Sequence, residues 1–202
     1  MIAISKQKNT SHYEKTFGLN DFYHRAPDWK YPLGHIQLLG NVKKEMLKGD
    51  APFFTPDKVL EIMADHAVGW WICSEDLPSV ENRVMVNEKG QIVLKYTSSS
   101  LEGHHRLIKR LKGILRDVDR SLGASPTCFF AKRIPLAGVA HQVGTCRFGE
   151  DPKTSVLDPH CKAHDHDNLY VVDGSFFPSS GAVNPGLTII ANALRVSKVL
   201  AK

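Results

Sequence analysis

Residues 169–200, LYVVDGSFFPSSGAVNPGLTIIANALRVSKVL, decide how this chain is read. The apolar run Asn168–Asp173 predicts a short buried strand that delivers Asp173-Gly174-Ser175. A loop of small residues then leads into a helix from Pro185 to about Leu200. Asn184 is its expected N-cap and Pro185 sits in its first turn. A helix start presents unpaired backbone N–H groups and a partial positive charge. It suits a ligand that bears or develops negative charge. Gly186 lets such a ligand come close.

A second element lies upstream, VAHQVGTCRFG at residues 139–149. His141 stands among small apolar residues just before Gly144. An imidazole there can take up a proton near neutral pH. Taken alone, such a histidine more often fills a core position.

Together the two elements carry a resemblance. His141-Gln142-Val143-Gly144-Thr145-Cys146-Arg147, Val171-Val172-Asp173-Gly174-Ser175, and Asn184-Pro185 with Thr188 follow in the order and separation of the C-terminal region of the glucose–methanol–choline (GMC) oxidoreductases. The Asp-Gly-Ser and Val-Asn-Pro forms resemble the bacterial branch that contains cholesterol oxidase. The clear match spans about residues 127–201. A looser one, over 66–125, includes Ser74-Glu75-Asp76-Leu77-Pro78 and Asn82-Arg83-Val84 and resembles the substrate-side domain.

The resemblance implies FAD-dependent oxidation of a CH–OH group, with hydride passing to flavin N5. It maps the catalytic pair onto His141, as the base or its immediate partner, and Asn184, as the amide that holds the substrate oxygen. Asp173 and Gly174 would line the ribityl chain and ring edge. Pro185 and Leu187 would present the helix end to the pyrimidine side. Family members begin with a G-x-G-x-x-G loop for the ADP part of FAD. This sequence contains none, so the N-terminal Rossmann half is expected on another part of a longer chain or on a separate one. The expected partners are that FAD-binding half and a small-molecule alcohol.

The remaining sequence sets the fold. Residues 1–50 show no sustained period and read as an extended arm with a strand near His35–Leu39. Thr55-Pro56-Asp57 opens a helix, with Thr55 as N-cap and Pro56 first. Val68–Ser74 reads as a strand. Arg83–Val86 and Gln91–Thr97 form a hairpin across Asn87-Glu88-Lys89-Gly90, with Val84 and Val86 on one face and Ile92, Leu94 and Tyr96 on another. A long helix runs from about Ser100 to Leu122. Its stripe is Leu101, His104, Ile108, Leu111, Leu115, Val118 and Leu122, and Gly123 ends it. The fold class is α+β: an antiparallel substrate-side sheet with flanking helices, plus a C-terminal strand–loop–helix that completes a flavin-binding domain. The expected domains are 1–136, the substrate-side region, and 137–202, the C-terminal segment of the FAD domain.

Composition excludes other classes. At 202 residues, 42% hydrophobic and 23% charged, the chain can bury an ordinary core. The net charge of +5 is spread out rather than massed. Nucleic-acid binding would need a basic face with stacking aromatics, and none is expected. No apolar run is long enough for a membrane span, and the start MIAISKQKNTSHYEK has no secretory h-region; a cytoplasmic protein is the expectation. Cys73, Cys128, Cys146 and Cys161 form no C-x-x-C pair and read as reduced thiols. His160, Cys161, His164 and His166 fit no standard zinc spacing, so no metal is expected. Cys146 lacks the company a thiol nucleophile needs. Ser175 and Ser179 lack a G-x-S-x-G elbow. The rival from another class is a non-catalytic remnant or interaction module without FAD, with Trp70-Trp71 and the basic helix as its partner surface.

Overall fold

Strand β1, Ile2–Ile4, is only three residues long, yet it lies inside a five-stranded antiparallel sheet. The computed structural model describes residues 1–10, 14–98 and 100–201. It divides into two compact units, Met1–Ser74 with Glu102–Ile134, and Glu75–Leu101 with Pro135–Lys202. The hairpin region Glu75–Leu101 therefore groups with the C-terminal segment, whereas the sequence boundary at 136/137 placed it with the first.

The first unit contains β1, β2 (Gly18–Leu19), β3 (Gly34–Asn41), helices α1 (Lys44–Lys48) and α2 (Asp57–Asp65), β4 (Ala67–Ser74), most of α3 (Leu101–Ser121) and β7 (Cys128–Phe130). The sheet order is β2-β3-β4-β1-β7. Alternation along β1 serves both faces. Ala3 joins Ile36, Trp70, Leu107 and Leu111 in one buried cluster. Ile2 and Ile4 pack on Val42, Leu47, Leu60 and Ala67 in another. The Met1 ammonium donates to the Trp70 carbonyl at 2.8 Å, and the Trp70 amide donates back to the Met1 carbonyl at 2.8 Å. These bonds extend the β1–β4 pairing.

β3 and Val42, the residue that follows it, serve both clusters because the strand is bulged. Leu38 pairs with Trp70, but Gly40 pairs with Gly69, so one residue is extra. Such a bulge reverses which residues face which side. It turns Ile36 toward one cluster and Val42 toward the other. Gly40 carries the positive φ, 87°, that the irregularity requires.

Several predicted elements differ in detail. Residues 1–50 are not an arm: they supply β1, β2, β3 and α1, although residues 11–13 lie outside the described ones. Helix α2 starts one residue late, with Pro56 rather than Thr55 as N-cap. On α3 the buried stripe is Gly103, Leu107 and Leu111, four apart and rotated from the predicted one. Val118 and Leu122 are exposed. Gly103 faces the Trp29 ring, with room for a Cβ at an ordinary contact distance of 3.7 Å. Four basic side chains of α3 are engaged within the unit. Arg106 and Arg110 pair with Asp28 and lie over the Trp29 and Phe22 rings, and Lys112 and Arg116 lie over Phe129. Trp70 is core, edge-on to Phe17, while Trp71 stays partly exposed.

The second unit carries β5 (Arg83–Val86), β6 (Ile92–Lys95) and helix α4 (Gly186–Leu200). The hairpin forms as expected, but its register pairs Val84 with Leu94 and Val86 with Ile92. Those four side chains therefore share one face, not two. The predicted strand Asn168–Asp173 is not formed. Tyr170 makes a single bridge to Lys162, and no other strand pairs with this run among the described residues. The core is a cluster of Leu157, Cys161, Ala163, Phe176 and Val196. Phe148, Phe176 and Phe177 stack, with centroids 5.7 and 4.5 Å apart.

Candidate active site

Asp173 ends the Val171-Val172 run by turning the chain. Its Oδ1 accepts the Ser175 amide at 2.8 Å and caps a short 3-10 turn, Gly174–Phe176. Hydrogen bonds from the Ser175 side chain and backbone hold the Asp173 carboxyl below the ordinary carboxylate range. The carboxylate is thereby committed to shaping this turn.

Gly174 is where the two sequence motifs meet. The segment after His141 runs beside the turn. Gly144 N–H donates to Gly174 O at 3.2 Å, Cys146 N–H to Ser175 O at 3.0 Å, and Phe148 N–H to Phe176 O at 3.1 Å. A Cβ on Gly174 would come 3.1 Å from Gln142 O, 3.3 Å from Val143 Cγ1 and 3.5 Å from Ile189 Cδ1. Ile189 is in the first turn of α4. One glycine thus has the residue after His141 on one side and the helix that follows Asn184 on the other.

His141 and Asn184 are both exposed, and neither side chain has a hydrogen-bond partner among the described residues. Gln142 closes the turn around His141 by donating to Val139 O at 2.9 Å. The cap of α4 is Pro185 in αR geometry rather than Asn184, and no side chain caps the helix. Proline at that place already has helical φ, so the helix boundary shifts by one residue and Asn184 is released from capping. Leu187 projects into solvent.

The loop that leads to Asn184 is held by contacts that the sequence did not reveal. Asp76 and Ser180 exchange two backbone hydrogen bonds of 3.0 and 2.9 Å, and the Ser179 hydroxyl donates to Glu75. Ser74-Glu75-Asp76 was visible in the sequence, but its contact with a loop a hundred residues away was not.

The residues weighed for other chemistry have structural occupations. Cys161 is buried at positive φ and its Sγ accepts from Asn192 at 3.2 Å. His164 Nε2 lies 3.1 Å from Ser155 Oγ and 3.1 Å from Gly149 O. Among the described residues no group of three or more His, Cys, Asp or Glu is arranged to hold a metal ion. Cys146 packs on the Leu157–Phe176 cluster. Among the described residues no helix is long and apolar enough to cross a membrane.

A flavin edge fits the residues present. The first turn of α4 has no side-chain cap, and a Cβ built on Gly186 would meet nothing within 4 Å. Backbone N–H donors of an uncapped helix start suit the anionic side of a reduced isoalloxazine.

Known proteins resemble this chain in sequence and in fold. Residues 93–193 match the family described as GMC oxidoreductase, in its C-terminal domain. The chain is 36% identical over 152 residues to 6'''-hydroxyparomomycin C oxidase of Streptomyces lividus, covering 71% of this chain and 25% of that protein. It is 34% identical over 165 residues to paromamine 6'-oxidase of Streptomyces fradiae, covering 76% and 28%. Cholesterol oxidase of Mycobacterium tuberculosis is also among the relatives. Pyridoxine 4-oxidase from Mesorbium loti shares the fold, with a TM-score of 0.59 at 18% identity over 98% of this chain and 40% of that one. The chain thus spans about a quarter of the length of the two Streptomyces relatives. It belongs to the GMC oxidoreductase family and carries that family's C-terminal domain.

Proposed function

We propose that this chain is the C-terminal part of an FAD-dependent enzyme that oxidises an alcohol, with His141 and Asn184 as its catalytic pair. The supporting observation is the convergence at Gly174, where the His141 segment and the first turn of α4 pack on one residue. Membership of a family of alcohol oxidases and dehydrogenases supports the same reading.

When bound, the flavin supplies the acceptor for a hydride from the carbinol carbon. The protein's own residues do the rest. The His141 imidazole takes the hydroxyl proton as the C–H bond breaks, so the alcohol becomes a carbonyl. The Asn184 amide donates to the substrate oxygen and fixes which hydrogen faces the acceptor. The first backbone amides of α4 would hold the flavin's anionic side, where a helix end stabilises negative charge by about 0.3–2 kcal/mol. Asp173 holds the turn, and Gly174 keeps the two motifs close. The FAD-binding half, with the G-x-G-x-x-G loop, comes from the remainder of a longer chain or from a separate one.

The test is an assembly of this chain with such a half. Its visible spectrum should show bound flavin. His141→Ala should keep that spectrum and slow alcohol oxidation by about 10²–10⁴-fold, the usual worth of a general base. Unchanged turnover removes His141 from the reaction.

A further inference from the structure

One face of the five-stranded sheet packs under α3, where Leu19, Ile36, Leu38, Trp70 and Ile72 join the Leu107–Leu111 cluster. Alternation turns their neighbours to the other face. There the register lines up two rows across three adjacent chain segments: Asn20, His35 and Cys73 in one, Gly18, Gln37 and Trp71 in the next. Side-chain contacts tie the rows together. Asn20 Oδ1 lies 2.7 Å from His35 Nδ1, the Trp71 indole N–H donates to Cys73 Sγ, and a Cβ on Gly18 would stand 3.1 Å from His35 Cε1. A carboxamide oxygen only accepts, so Nδ1 of His35 carries the hydrogen and Nε2 is left as an acceptor. Burial lowers the His35 pKa, which keeps the ring neutral at pH 7. Neither His35 Nε2 nor the Gln37 amide has a hydrogen-bond partner among the described residues. Trp71 has given its N–H to Cys73 and offers its ring, 39% exposed. No acid, lysine or arginine stands among the six. A surface that only meets water intersperses charges. Ligand sites instead set a few oriented polar groups beside an aromatic surface.

We infer that this face binds the ring of a neutral polyhydroxylated compound, a pyranoside or a cyclitol. The flat side of such a ring presents C–H groups, which pack on the Trp71 indole. Its rim presents hydroxyls, which meet the Gln37 amide and His35 Nε2. Adjacent strands lie about 4.8 Å apart, so each row spans roughly 10 Å, room for one hexose-sized ring. Gly18 has no side chain to fill the space beside Gln37. Other ligand classes fit worse. A phosphate or carboxylate finds no cation among the six residues, and an ammonium finds no anion. A steroid or alkyl chain would cover Gln37 and His35 and leave their polar atoms unpaired, which costs affinity. All six residues lie in the first unit. That the ring belongs to the alcohol to be oxidised rests on the proposed function, whereas its binding here does not.

The experiment titrates the full 202-residue chain with methyl glucopyranoside and follows binding on the ligand's own NMR signals. Cyclohexanol, a ring with one hydroxyl, and glucose 6-phosphate, a charged ring, serve as comparisons. Saturable binding of the glucoside is expected, with both comparisons weaker by about tenfold or more. Trp71→Ala should weaken the glucoside by roughly tenfold, the worth of an aromatic face. Gln37→Leu should weaken it about three- to tenfold, the worth of a neutral hydrogen bond, and should spare cyclohexanol. Val118→Ala, on the helix that covers the opposite face, should leave it within about twofold. Urea midpoints show that each variant is folded, and Gln37→Leu alone decides if Trp71→Ala is not. No saturable binding, binding insensitive to Trp71→Ala and Gln37→Leu, or equal affinity for either comparison overturns the inference. Turnover is read separately in the assembled enzyme. Binding at this face without oxidation of any polyol sinks the functional reading alone. Oxidation of the glucoside with KM unchanged by Trp71→Ala and Gln37→Leu sinks the binding face alone.

Discussion

Gly174 lies so close to Gln142 that a Cβ on the glycine would stand 3.1 Å from the glutamine's carbonyl oxygen. That backbone neither bends aside cheaply nor changes rotamer. Gly174→Ala should therefore push the His141 segment outward and destabilise the chain by about 1–3 kcal/mol, as overpacking does. A urea titration measures this. In the assembled enzyme the same variant should slow turnover, because the displaced segment carries His141. An alanine variant of native stability would show that the two motifs are not held together there.

The two proposed catalytic residues should be unequal. Asn184→Ala removes one hydrogen bond to the substrate oxygen, whereas His141→Ala removes the proton acceptor. Turnover of the assembled enzyme should fall further for His141→Ala. The opposite order would exchange their roles.

Acid should weaken the first unit through His104. Burial, aided by the nearby positive charges of His105, Arg133 and the Met1 amine, lowers its pKa, and its Nδ1 lies 3.3 Å from Ser74 Oγ. Burial lowers His35 as well. The unfolded chain protonates these rings near their ordinary value of about 6.5, while the folded chain resists. The unfolded state thus binds more protons below that pH, and stability is lost as pH falls through about 6.5. His104→Gln should flatten the decline in urea midpoint between about pH 7.5 and 5.5. A variant with the same slope as the parent would exclude His104 as a source.

Core position on α3 can be read by truncation. Leu107 is fully buried and Val118 is exposed. Leu107→Ala should cost about 2–5 kcal/mol. Val118→Ala should stay within about 0.5 kcal/mol. Equal losses would mean that the helix packs in the phase the sequence stripe suggested.

Three of the four thiols should separate by alkylation. Cys128 is exposed and should react first. Burial raises the Cys73 thiol pKa and should slow it. Cys161, fully buried, should wait for unfolding. Early modification of Cys161 would contradict the core of the second unit.

What the sequence revealed follows from how local each signal is. The hairpin, β4 and α3 are long enough to show a period, and they stand where expected. Strands β1 and β7 have three residues each; no period is visible in three residues, and their partners are remote. The stripe on α3 was right at Leu111 and Leu115 and rotated elsewhere, because the helix also buries Leu107 and Gly103 against the sheet unit, and a glycine carries no hydrophobic signal. At the site, the order of the motifs was legible. The Asp76–Ser180 clamp and the tight packing at Gly174 were not, because both join distant segments through backbone atoms, which leave no trace in side-chain type.

The place of β1 sets the order of events during synthesis. Its three residues precede both neighbours in the chain, so one edge must wait for β4 and the other for β7. Until Phe130 emerges, the nascent sheet has an open edge that any stray strand can occupy. A chaperone's grip before that point should favour recovery of this protein from cells, and a pause in translation there should reduce it.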